Sequence, residues 1–161
     1  MIGYVAVAVG VGVAMAGKIV WMIDDWKRDW TTNHAQLSAA NSDPDLRPIE
    51  INAGMEDVDG MIRAWVQTQS AWSVVSDTNG ESDETQSSMR RMHLTRTTPL
   101  FRFVDDIQVE LTSVGTEADA PTRTRVVAES RSRVGKGDLG QNPRNLKALR
   151  EGLLAQASDR F

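Results

Sequence analysis

The most suggestive chemistry in the chain lies at Gly135-Lys136-Gly137-Asp138-Leu139-Gly140, which has the G-x-G-x-x-G spacing of a dinucleotide phosphate loop and follows a strand-like run. That fingerprint works inside a βαβ unit, with a second parallel strand and an acidic residue about 20 positions on. Here a single helical pattern follows, so the context is missing. A milder chemistry remains: backbone amides at a helix start, with Arg133, Lys136, Gly137, Asn142 and Arg144 as contacts, would hold a phosphate or a lipid headgroup. The competing reading is that the glycines only let the chain leave a strand and turn tightly into a helix.

Asp105 and Asp106 look like paired catalytic carboxylates, but neighbours on a strand point to opposite faces and cannot share a substrate. Alternation places Asp105 with Phe103 and Ile107 on the core side, where a carboxylate needs partners to offset desolvation. Asp105 is therefore expected to be a structural anchor for Arg102, Arg131 or the 135–140 loop. His34 and His93 lack neighbours at metal-ligand spacing, and no serine sits in a nucleophile turn; Ser130 and Ser132 fit small core-facing strand positions. Arginines at 90, 91, 96, 102, 131 and 133 form a basic set across adjacent strands, with Asp106, Glu110 and Glu129 available to pair with them. No catalytic residue, metal site or cofactor is expected.

Composition narrows the field further. The 161 residues carry 18 basic and 22 acidic side chains, without the basic excess that nucleic-acid binding favours. With no cysteine, disulfides, thiolate metal sites and cysteine nucleophiles are excluded, and stability must come from burial.

The elements that would position these residues begin with an apolar run. From Ile2 to Ile23 only Tyr4 and Lys18 interrupt apolar residues and glycine, a length of about 33 Å as a helix against a bilayer core of about 30 Å. Lys18 can snorkel, and Trp21, Trp26 and Trp30 follow where an interfacial aromatic belt belongs. A cleaved signal peptide competes, but it would want a cationic start and a shorter apolar stretch. The expectation is a single-pass membrane anchor over residues 1–30. Ala6, Gly10 and Ala14 repeat every fourth residue, a smooth stripe on which a partner helix or a second copy can pack. Lys18, Lys27 and Arg28 are interleaved with Asp24, Asp25 and Asp29, so the flanking charges set no side for the domain.

Residues 31–46 are rich in Thr, Asn, Ser, Asp and Pro without periodicity and read as a linker, leaving 47–161 as one domain. A strand is predicted at Pro48 to Asn52. A helix follows, with Met55, Val58, Met61, Ile62, Trp65 and Val66 on one stripe and Glu56, Asp57 and Asp59 at its positive end. Strands are predicted at Trp72 to Ser76, Met89 to Thr97, Phe103 to Thr112 and Thr122 to Val134. Asn142 and Pro143 signal the start of a closing helix with Leu146, Leu149, Leu153 and Leu154 on its buried side. The predicted order after the transmembrane helix is β-α-β-β-β-β-α, an α+β fold with both helices on one face of an antiparallel sheet.

Two blocks, Thr98-Pro99-Leu100-Phe101-Arg102-Phe103-Val104-Asp105-Asp106-Ile107 and Ser130-Arg131-Ser132-Arg133-Val134-Gly135-Lys136-Gly137-Asp138-Leu139-Gly140-Gln141-Asn142, resemble the signature blocks of the DUF1499 family. The resemblance covers residues 46 to 155. It implies an uncharacterised domain of membrane-anchored or exported proteins and supplies no catalytic residues. The element order is also similar to that of helix-grip domains, which enclose apolar ligands. Two functions are therefore expected in turn: a non-enzymatic accessory or scaffold subunit of a membrane protein assembly, in contact with membrane lipids, or a module binding a lipid or small apolar ligand.

Overall fold

A computed structural model of the chain describes residues 32–78, 89–99, 102–115, 122–135 and 137–160. The expected anchor lies outside the described residues, and with it Lys18, Trp21, Trp26, Trp30, Ala6, Gly10 and Ala14. Among the described residues, no helix is long and apolar enough to cross a membrane.

The elements run β1 (His34–Gln36), a 3-10 turn (Pro44–Leu46), β2 (Ile49–Ile51), α1 (Met55–Thr68), β3 (Trp72–Thr78), β4 (Met89–Thr97), β5 (Val104–Val114), β6 (Arg123–Ser132) and α2 (Gln141–Ser158). The six strands form one antiparallel sheet in the order β1-β6-β5-β4-β3, and β2 also pairs with β6. β1 lies against Glu129 to Arg131 and β2 against Thr124 to Val126, so one outer edge of β6 is shared by two short strands in succession.

β1 corrects the predicted order, which becomes β-β-α-β-β-β-β-α, and it falls in the segment read as a linker. Three residues are too few to show alternation, and this strand is fixed by backbone bonds. Ser132 N donates to Asn33 O (3.0 Å), and Leu37 N donates to Ala128 O (2.8 Å). The excursion between β1 and β2 is also packed: Leu37 and Leu46 are buried, Asp43 caps the 3-10 turn, and Lys147 of α2 pairs with Asp43 at 2.8 Å.

Period-two alternation makes one face of the sheet apolar. Met92 and Leu94, Ile107, Val109 and Leu111, Val126 and Ala128, and Ile49 and Ile51 point inward. They meet Val58, Met61, Ile62, Trp65 and Val66 of α1 and Leu146, Leu149 and Leu153 of α2. Burying each such side chain stabilises the fold by about 1.5–3 kcal/mol. The helices approach closely at Gly152, where any Cβ would overlap the Trp65 indole; Trp65 in turn stacks edge-on against Trp72 at 4.8 Å. Two predicted core residues are exposed. Leu154 is exposed because the stripe of α2 drifts past it, and Phe103 is exposed because β5 begins only at Val104.

The chain turns from β6 into α2 through Gly135 (φ 99°), Leu139 (φ 53°) and Gly140 (φ 74°). The two glycines thus occupy left-handed positions that side chains resist, which agrees with a tight exit from the sheet.

Candidate functional site

β5 carries Asp105 and Asp106 to opposite faces of the sheet, so the two carboxylates do not form a pair. Each is the centre of a separate polar cluster.

Asp105 is almost fully buried, at 1% exposure, under the first turn of α2. Ser132 of β6 donates its hydroxyl to Asp105 Oδ1 (2.6 Å), and Asn145 donates Nδ2 to Asp105 Oδ2 (2.9 Å). Asn145 Nδ2 also donates to Ser130 Oγ (3.0 Å), and Ser130 donates to Asn142 Oδ1 (2.6 Å). Asn142 Nδ2 closes the circuit, donating to Ser132 Oγ (3.1 Å) and to the backbone oxygen of Asn33 (2.7 Å). Arg96, opposite Asp105 in the β4–β5 register, donates to Asn145 Oδ1 at 2.7 Å. Burial pulls the Arg96 guanidinium below its usual pKa, Asp105 draws it back up, and Arg144 adds to the lowering.

This arrangement follows from two periodicities. Residues 130 and 132 share the inward face of β6, and residues 142 and 145, three apart, share one face of α2. Small hydroxyls on the strand leave room for two amide side chains, and the amides reach the carboxylate. The bonds to the Asp105 carboxylate thus come from Ser132 and Asn145, and not from Arg102, Arg131 or the 135–140 loop expected as its anchoring partners. Arg102 is exposed in the β4–β5 hairpin at φ 52°, and Arg131 pairs with Glu129. Asn145 and Asn33 were missed from the sequence. The available signal was the polar residues Ser130, Ser132, Asn142 and Asn145 at inward positions of β6 and α2.

At the start of α2, Asp138 occupies the place where an anion was expected. Its carboxylate accepts from Gly140 N (2.9 Å) and Asn142 N (2.8 Å), and its backbone oxygen accepts from Gln141 N (3.0 Å). Asp138 therefore caps the helix, a role predicted for Asn142, whose side chain is buried in the network instead. Arg144 donates to Leu139 O (2.8 Å) within the same turn. Gly137 is half-buried, and Lys136 lies outside the described residues. Beside the residues of the headgroup or phosphate reading, Arg133, Lys136, Gly137, Asn142 and Arg144, the carboxylate of Asp138 supplies negative charge of its own to the helix start.

The second cluster lies on the outer face. Arg133 grips Asp106 with two bonds, Nε to Oδ2 and the terminal nitrogen to Oδ1, both 2.7 Å, and His93 Nε2 lies 2.7 Å from Asp106 Oδ1. The Arg133 bonds hold the Asp106 carboxyl below the usual carboxylate range; desolvation opposes them and His93 adds to them. Asp106 correspondingly raises Arg133. With Asp106 ionised, His93 Nε2 must carry the hydrogen. Arg91 pairs with Glu110 (3.2 Å) and Arg131 with Glu129 (3.1 Å), giving the charge-paired outer face that the sequence predicts. Arg90 departs from that set: it approaches the buried Asp59 of α1 (3.6 Å), which also accepts from Arg63 (2.9 Å).

Among the described residues, no cluster of His, Cys, Asp or Glu has the arrangement of a metal site. A shallow depression of about 210 Å³ lies on the outer face, bounded by Gln36, Arg91, Gln108, Glu110, Val127 and Glu129. A wider open depression of about 540 Å³ lies between the end of α1 and β3, lined by Arg63, Val66, Gln67, Gln69, Trp72 and Val74. At the centre of the layer between sheet and helices, Ile49, Met61, Ile62, Met92, Leu94, Ile107, Leu111, Leu146, Leu149 and Leu153 are each buried to within about 2% of complete enclosure.

A family model described as a protein of unknown function, DUF1499, matches residues 25–153. No curated protein matches. The solved structure of TTHA0849 from Thermus thermophilus is similar over 76% of this chain and 97% of that one, at 12% identity and a TM-score of 0.32, too weak a likeness to carry an argument.

Proposed function

The chain belongs to the DUF1499 family, and we propose that it is a non-enzymatic, single-pass membrane-anchored domain serving as an accessory or scaffold subunit of a membrane protein assembly. The observation that carries this reading is the use made of Asp105. The carboxylate best placed by burial for acid-base work is sealed at 1% exposure, with both oxygens bonded to Ser132 and Asn145. A group so enclosed holds two layers together and cannot meet a substrate without breaking the core.

The remaining features suit display. The outer sheet face is charge-paired, and the apolar run Ile2 to Ile23 has a spanning length, with Ala6, Gly10 and Ala14 offering a smooth stripe to another helix. The alternative, a lipid or apolar ligand between sheet and helices, would have to displace side chains that already fill that layer, and no particular observation favours it.

The test is extraction of the full-length protein from membranes into mild detergent, followed by native mass analysis. Co-purification with a stoichiometric membrane partner is expected. A strictly monomeric, partner-free species removes the assembly role, and recovery of the intact chain in the aqueous fraction removes the anchor.

A further inference from the structure

Five large apolar side chains are exposed among the described residues, and Val75, Met89 and Leu154 are scattered as such residues commonly are. The other two are adjacent. Arg133 N donates to Val104 O (3.1 Å) just beyond the last paired residues, Asp105 with Ser132, so Phe103 and Val134 follow on neighbouring strand ends. Phe103 is 45% exposed and Val134 59%.

The N-terminal part of the chain joins the domain at this same end. Asn33 accepts from Ser132 N (3.0 Å) and donates its side-chain amide to Gly135 O (3.1 Å), which fixes the point of arrival beside Val134. Residues 24–31 separate the apolar run from Thr32, and eight residues reach at most about 28 Å even when extended. That stretch contains Trp26 and Trp30, which favour the headgroup level. Charge does not oppose contact there, because the positive charge of Arg133 is matched by Asp106, and Arg102 is exposed where it can meet phosphates.

From this juxtaposition we propose that the end of the sheet bearing Phe103 and Val134 rests in the interfacial layer of the bilayer that holds the anchor, so that the domain stands on the membrane in one orientation. The proposal depends on the anchored reading above.

The chain has no cysteine, so single labels are clean. Phe103→Cys, Val134→Cys and Leu154→Cys, each in the full-length chain, carry an environment-sensitive fluorophore in phosphatidylcholine and phosphatidylglycerol vesicles. Leu154 lies about 20 Å along α2 from its start near Gly135 and serves as the reference. Labels at 103 and 134 are expected to shift to the blue and to lose most of their quenching by aqueous iodide, while the label at 154 stays quenched. Two exposed positions are used so that poor folding of one variant does not decide the outcome. If the protein floats with the vesicles but 103 and 134 are quenched as strongly as 154, the docking is overturned and the anchor stands. If the full-length protein does not float with the vesicles, the anchor is overturned and the docking with it.

Discussion

Replacing Asn145 by alanine tests the buried network most directly. The side chain is fully buried and takes part in four hydrogen bonds: it donates to Asp105 Oδ2 and Ser130 Oγ, and it accepts from Arg96 and Gln141 (2.8 Å). These bonds are unequal. Arg96 and Gln141 are only half-buried and can turn to water, and Ser130 keeps Asn142 as its acceptor. Asp105 has no such recourse, because its Oδ2 loses a donor while the group remains enclosed. Breaking one side of a buried charged contact costs about 3–5 kcal/mol, and a water entering the space left by the amide offsets part of that. The expected loss is about 3 kcal/mol, or about 10 °C in melting midpoint for a domain of this size. Urea unfolding of the full chain in micelles, followed by far-UV circular dichroism, measures it. A double-mutant cycle with Asp105→Ala should give a coupling above about 1 kcal/mol. A loss below about 1 kcal/mol for Asn145→Ala alone would refute the reasoning that Asp105 depends on this amide.

Three further outcomes are expected. Gly60→Ala stabilises the protein by about 0.5–1 kcal/mol, because Gly60 lies inside α1 and a Cβ there meets nothing within 4 Å; an unchanged urea midpoint would contradict this. Gly152→Ala destabilises it by about 1–3 kcal/mol through overlap with Trp65, and a smaller Gly152→Ala effect in a Trp65→Leu background is the signature to look for. Asp106→Asn lowers stability at neutral pH, and the difference from the parent disappears in acid. The folded carboxyl of Asp106 is depressed, so its contribution is fully present above the ordinary carboxylate range and is lost as pH falls through the lowered value. Stability profiles that remain parallel in acid would contradict that assignment.

Long periodic segments were readable from the sequence because burial imposes their period. The stripe of α1, the alternation of β5 and β6, and the leucines of α2 through Leu153 appear in the structure where the pattern places them. What the pattern could not carry is structure made by backbone pairing alone. β1 has no apolar rhythm, since its hold on β6 comes from main-chain bonds, and it was hidden in a polar stretch. The site was half legible. Alternation separates Asp105 from Asp106 and turns Ser130 and Ser132 inward, but the partner of a buried carboxylate depends on how α2 crosses the sheet. That crossing brings Asn145 to Asp105 and Ser130, which lie 40 and 15 positions away in the chain. Capping misled for a related reason: Asn142 is a good cap by type, yet α2 already begins at Gln141, and Asp138 accepts from the amide of Asn142 itself across the left-handed turn at Gly140.

The short strand β1 also decides where this protein can be cut. A fragment beginning at Arg47 would keep both helices and five strands but would strip the outer edge of β6 at Glu129 to Arg131, leaving its main-chain donors and acceptors unsatisfied. It would also remove Leu37 from the core and the Asn33 carbonyl to which Asn142 donates. Such a bare margin invites a second molecule to add its own strand, so the truncated product should self-associate, whereas a cut upstream of Thr32 retains the native cover.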